Sequence, residues 1–297
     1  MTVGHENAGV ISEFGPGMSH WTVGERVGVA PMTPEGDVIG YGAWGGGYGP
    51  KLVATEANLV HLPDEISFDI GALGTAAGLS AYHSIVTLGE VAPGMRVGVI
   101  GLGGVGYMAA RIAVLRGAEV FAAEVDPSSR TLADDIGLAG VGESITEFAS
   151  EDLHVIADCA GFGTTTAEAV ETLCQSGTLV QVGLGRTEST VNTFAIAMKE
   201  LRILGSKSGT RQDLVDLYAL IRGGEFEPPI ARITPEQIPE VSSVYARAAS
   251  SAVSLLSTTD SQAARESLRK QFYRLARNWA VPPPHAGDCV PHRFKKE

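Results

Sequence analysis

Gly101-Leu102-Gly103-Gly104-Val105-Gly106 sets glycines at 101, 103 and 106, the spacing Gly-x-Gly-x-x-Gly. Each glycine answers a separate physical demand. The first permits a tight turn, the second lets a phosphate come up against the backbone, and the third lets a helix lie close to the strand before it. The chemistry implied is the cradling of a dinucleotide pyrophosphate by N–H groups at a helix N-terminus, where the dipole is positive. Further along, Glu124 stands where a second strand should end. A carboxylate there accepts from the 2′- and 3′-hydroxyls of an adenosine ribose and repels a 2′-phosphate, so NAD is favoured over NADP.

Other reactive residues carry less. His83 lies within a helical pattern and is expected to be a hydrogen-bonded structural histidine; Cys159 closes a strand, where packing accounts for it. His285-x-x-x-Cys289-x-x-His292 has ligand-like spacing but falls in a proline-rich tail, which argues against a metal centre. His20, His61 and His154 give no functional signal.

The cradle needs particular elements around it. Residues 96–100, RVGVI, have the apolar run of a strand buried on both faces; residues 104–116 follow as a helix and 118–124 as the next strand. Beyond residue 126 the alternation continues: helix 128–137, strand 153–161, helix 164–177 with a glycine stop, strands 178–185 and 201–206, and helix 212–222. Strands alternating with helices of this length predict an α/β fold, a doubly wound parallel sheet.

Residues 1–65 read as β-rich and irregular, with alternating segments at 23–31 and 50–63. The aromatic glycine loop 40–49 between them is expected to cover a core edge, and 69–88 forms a helix. From residue 247 onward the chain turns basic, with an amphipathic helix expected at 261–279 and an extended, divergent end.

At 297 residues the chain has room for two cored domains, and 44% hydrophobic with 19% charged residues is an ordinary globular composition. A net charge of −12, with no basic stripe among aromatics, excludes a nucleic-acid partner. The longest uncharged span, residues 70–89, holds His83, Ser80 and Thr75 and suits a buried helix over a membrane span. No signal-peptide pattern opens the chain, and Cys159, Cys174 and Cys289 are scattered, so reduced thiols and a cytoplasmic location are expected.

Several segments then occur in one order: Gly4-His5-Glu6-x-x-Gly9, VGERVGV, LPDE, AAGLSAYH, GLGGVG, DCAG, GTLVQVGLG and KELRILGSKSGTRQDL. Through them the chain resembles the zinc-type alcohol dehydrogenases of the medium-chain dehydrogenase/reductase family, over roughly residues 1–245. The resemblance implies a Rossmann NAD-binding domain (80–206) beside a partial GroES-like β catalytic domain (1–79, resumed at 207–245), with 246–297 a divergent tail. It also implies hydride transfer between nicotinamide and an alcohol, aldehyde or ketone, a small-molecule substrate, and a homodimer or homotetramer.

By the same resemblance His5 is the imidazole zinc ligand and Glu6 the adjacent carboxylate, while Ser80, Val182 and Gly183 lie near the nicotinamide. Gly101, Leu102, Gly103, Gly104, Val105, Gly106 and Glu124 form the cofactor cradle. The departures fall on the metal. Ala76 occupies the position of the family's third ligand, residues 26–51 hold no cysteine of a structural zinc lobe, and Gly-His-Glu begins at residue 4. The family's cysteine-bearing first ligand would precede it, and a truncated or frame-shifted reading of a longer gene is expected. Zinc needs three protein ligands and an open position, so this site is incomplete. A zinc-free NADPH reductase of the quinone-reductase kind and a catalytically inactive nucleotide-binding fragment are the alternatives.

Overall fold

The run of apolar residues before the glycine turn forms β4 (Arg96–Ile100), buried along its last four residues. It sits inside a computed structural model that describes residues 2–241, apart from 19, 42, 43, 225 and 227. On one side of β4 lie β5 (Glu119–Ala123) and β6 (Gly140–Gly142); on the other lie β7 (Leu153–Asp158), β8 (Leu173–Gln181) and β9 (Arg202–Gly205). These six strands are parallel in the order β6-β5-β4-β7-β8-β9. Counted from β4 that is the 3-2-1-4-5-6 order of a dinucleotide-binding sheet. The strand order reverses between β4 and β7, and ligands of such sheets sit beyond the strand C-termini at that point.

The second sheet is antiparallel and three-stranded: β1 (Asn7–Val10), β2 (Arg26–Val29) and β3 (Leu59–His61). Asn7 faces Val29 and Val27 faces His61 across it. Two segments expected to be strands are shorter than their patterns: of 23–31 only Arg26–Val29 pairs, and of 50–63 only Leu59–His61, after a 3₁₀ turn at Glu56–Asn58.

Between the sheets runs a helical stretch over residues 68–88, close to the expected 69–88. Its first turn is capped by Ser67, whose hydroxyl accepts from the Ile70 N–H. Two wide π-helical segments, Gly74–Gly78 and His83–Leu88, interrupt it around α2 (Leu79–Tyr82), after α1 (Phe68–Leu73). Such segments concentrate at functional sites. The principal core joins Leu73, Leu79 and Ile85 from this stretch with Val97, Val99, Met108 and Ile112, and with Leu214, Leu217 and Tyr218 of α8 (Arg211–Ile221).

The cradle helix is α3 (Gly104–Leu115). The expected helix 128–137 is instead two short turns, α4 (Pro127–Arg130), capped by Asp126, and α5 (Ala133–Ile136), which ends on Gly137 at φ +83. The helix expected to run to Gly177 stops at Thr172, as α6 (Thr164–Thr172). Leu173 leaves the helix because it is buried and pairs with Leu153 as β8 begins, and that burial outweighs the helical pattern of the next few residues. Strand β1 falls in the part expected to be β-rich; strand β6, the 3₁₀ segment Ile145–Glu151 and α7 (Thr193–Met198) lie where no regular element was expected. The amphipathic helix expected at 261–279 and the residues His285, Cys289 and His292 lie outside the described residues.

Candidate cofactor site and the His5–Glu6 edge

At the C-terminal end of β4 the three glycines meet the demands expected of them. Gly101 turns at φ +85 against Ala160. A Cβ on Gly106 would fall 1.7 Å from the Gly101 carbonyl oxygen, so no side chain fits there. A Cβ on Gly103 would meet nothing within 4 Å, which leaves open space beside the first turn of α3. Gly103 is the N-cap of α3 and offers no side-chain cap to its leading N–H groups. An open, uncapped helix start is where a phosphate binds.

Glu124 lies one residue beyond β5, with its carboxylate turned toward this start. Oε2 accepts from the Leu102 N–H at 2.7 Å and Oε1 from the Asp126 N–H at 2.8 Å. Each oxygen keeps a lone pair for a ribose hydroxyl. Nearby, the Arg130 guanidinium donates to the Glu124 carbonyl oxygen at 2.9 Å and pairs with Glu143 at 3.1 Å, so it is already engaged and leaves the Glu124 carboxylate unneutralised.

At the far side, Val182 and Gly183 follow β8. Their N–H groups donate to the Asp158 carbonyl oxygen at 3.0 and 2.8 Å. Cys159 lies under the Gly101–Gly106 turn, and burial first, then the adjacent Asp158 charge, push its thiol up to about 12. Such a thiol is inert packing, in keeping with the expectation. Ser80 lies on α2, half-buried. His83 is held through Nδ1, 2.9 Å from Asp213 Oδ2, as expected of a structural histidine.

His5 and Glu6 lead into β1. Glu6 Oε1 accepts from the Ala77 N–H at 3.0 Å, and the Asn7 N–H donates to Thr75 Oγ1 at 3.1 Å, which docks this edge on the π-helical turn. Burial pushes the Glu6 carboxyl up to about 7, against the lowering effect of the Ala77 N–H. His5 reaches solvent, yet the wall around it strips enough hydration to lower its imidazole pKa. The aromatic glycine loop packs over this edge: Gly46, Tyr48 and Gly47 donate backbone bonds to the carbonyls of Thr2, Val3 and Gly4. Among the described residues no group of three or more His, Cys, Asp or Glu side chains gathers to hold a metal. His5 and Glu6 are two donors, fewer than the three of a catalytic zinc, and Ala76 beside them supplies none.

An alcohol dehydrogenase GroES-like domain model matches residues 1–64, and a zinc-binding dehydrogenase model matches residues 104–222. Over these two spans the chain is similar to the zinc-type alcohol dehydrogenases. It is 27% identical over 248 residues to an alcohol dehydrogenase of Geobacillus stearothermophilus, covering 75% of this chain and 73% of that one. It is 27% identical over 272 residues to the NADP-dependent alcohol dehydrogenase C 1 of Mycolicibacterium smegmatis, covering 80% and 76%. Acetophenone reductase from Geotrichum candidum, solved in complex with NAD, superposes with a TM-score of 0.77 at 26% identity, covering 86% of this chain and 80% of that one. The alcohol dehydrogenase family is one of oxidoreductases, and its Rossmann-like sheet and GroES-like β part are both present here. No described helix is long and apolar enough to cross a membrane.

Asp158 is a residue that sequence reasoning passed over. It is fully buried at the end of β7, and its carboxylate accepts from the N–H groups of the turn that follows. The signal was a strand running straight into an acid, with Thr165 and Thr166 a few residues on.

Proposed function

We propose that this chain binds NAD through Gly101, Leu102, Gly103, Gly104, Val105, Gly106 and Glu124, and oxidises small alcohols or reduces the matching aldehydes and ketones. The supporting observation is the Glu124 carboxylate, oriented by the Leu102 and Asp126 N–H groups toward an open, uncapped helix start. That carboxylate would accept the ribose hydroxyls and repel a 2′-phosphate, which favours NAD over NADP. Bound NAD supplies the hydride acceptor. The α3 N-terminus would carry the pyrophosphate, and Ser80, Val182 and Gly183 would flank the nicotinamide. His5 and Glu6 would face the substrate end. The two-donor metal edge favours a second reading, a zinc-free reductase, but Glu124 speaks against the NADPH such enzymes use.

We further propose a GroES-like catalytic part at 1–79 and 207–245 around a Rossmann cofactor part at 80–206, with 246–297 a stretch of divergent sequence. The exposed apolar side chains of Phe194, Met198 and Ile203, beside the edge strand β9, support pairing of two chains through the sheet edge. Free Cys159 and Cys174 fit a reducing, cytoplasmic setting. The test is a titration with NADH. Saturable fluorescence enhancement and a raised melting temperature are expected, with weaker binding of NADPH. If NADH changes neither signal, the reading is wrong.

A further inference from the structure

The turns after β7 and β8 are stacked backbone on backbone. A Cβ on Gly183 would fall 2.4 Å from the Ala160 carbonyl carbon, and one on Gly161, which turns at φ +65, 2.1 Å from the Gly183 carbonyl oxygen. Arg186 N–H donates to the Gly161 carbonyl at 2.7 Å and Gly185 N–H to Ala160 at 3.2 Å, which zips the two turns together. At their root lies Asp158, with no exposed surface. Its Oδ1 accepts from the Ala160 and Gly161 N–H groups at 3.1 and 2.7 Å; its Oδ2 lies 2.9 Å from the hydroxyls of both Thr165 and Thr166.

The network reaches the second turn as well. Thr166 Oγ1 is 3.1 Å from Gln181 Oε1, and Gln181 Nε2 donates to the Gly183 carbonyl at 2.9 Å. A chain of polar groups thus runs from the Asp158 carboxylate to the backbone of Gly183. Burying a carboxylate is costly unless its lone pairs are filled, and here they hold a loop rather than a core. Cys159, under Gly106, is placed by its own N–H bond to the Ile100 carbonyl at 2.9 Å, and Glu124 by the Leu102 and Asp126 N–H groups, so of the cradle only Ala160, against Gly101, is held by the carboxylate.

We infer that Asp158 is a positioning residue for the nicotinamide half of the cofactor: through Gly161, Thr166 and Gln181 it sets where Val182 and Gly183 stand, while Glu124 at the ribose end is held by the Leu102 and Asp126 N–H groups without it. This rests on the cofactor reading above. The test compares NADH with ADP-ribose, which lacks nicotinamide, on the full chain. Asp158→Ala orphans the buried Gly161 N–H and the part-buried Ala160 N–H, and NADH affinity is expected to fall about tenfold or more with ADP-ribose affinity within about twofold of wild type. Asp158→Asn, which keeps an acceptor on those N–H groups, is expected to restore most of the NADH affinity. Should the alanine variant not fold, Gln181→Met interrupts only the arm to Gly183 and is expected to weaken NADH alone. Equal loss of both ligands, or of neither, in a folded variant overturns the inference. If wild type binds neither ligand, the cofactor reading itself fails.

Discussion

Glu124 and Gly106 do their work as single residues, and each yields a sharp expectation. Replacing Glu124 with Ser removes the acceptor pair for the ribose and the anion that repels a 2′-phosphate. NADH affinity should fall and NADPH affinity rise, moving the ratio of the two by about tenfold or more in a fluorescence titration. Gly106→Ala places a methyl 1.7 Å from the Gly101 carbonyl oxygen, backbone that cannot give way without opening the cradle. That variant should lose NADH binding and about 1–3 kcal/mol of stability in a urea titration. Both residues were legible in the sequence because their partners are local. The turn, the helix it starts and the acid at the next strand end all fall within residues 96–124. The environment of Glu6 was not legible, since the N–H that holds it belongs to Ala77, 71 residues away.

At the scale of elements, Asp213 ties α8 to the π-helical end of the 68–88 stretch. Its carboxylate accepts from Thr87, from the Thr210 N–H and hydroxyl, and faces His83. Burial raises its pKa, but these hydrogen bonds outweigh burial and leave it below the ordinary 3.8. A carboxylate held lower when folded than unfolded contributes stability above its unfolded pKa and loses it as pH falls through the folded one. Asp213→Asn should therefore cost about 1–3 kcal/mol at neutral pH. The gap to wild type should narrow below pH 3.8, as urea unfolding at the two pH values would show. Helix α8 was expected within a residue of its observed span, because its capping box and apolar face are local signals. The early end of α6 was not, because what stops it is a place in the sheet beside Leu153.

For the molecule as a whole, β9 leaves one edge of the six-stranded sheet unpaired among the described residues, with its own Ile203 and the Phe194 of α7 exposed. If two chains pair there, Ile203→Lys combined with Phe194→Glu should convert a dimer to a monomer in light scattering and leave NADH binding intact. The amino-acid sequence by itself determined the glycine turn with the helix and the acid that follow it, and the alternation that makes a doubly wound sheet. Those properties depend on residue type and short spacing. Only the tertiary structure decided how Glu124 is aimed, that Glu6 is held by the Ala77 N–H, and that Asp158 stands beneath two stacked turns. Each of these depends on which distant backbone groups the fold brings to a side chain, and spacing along the chain does not carry that.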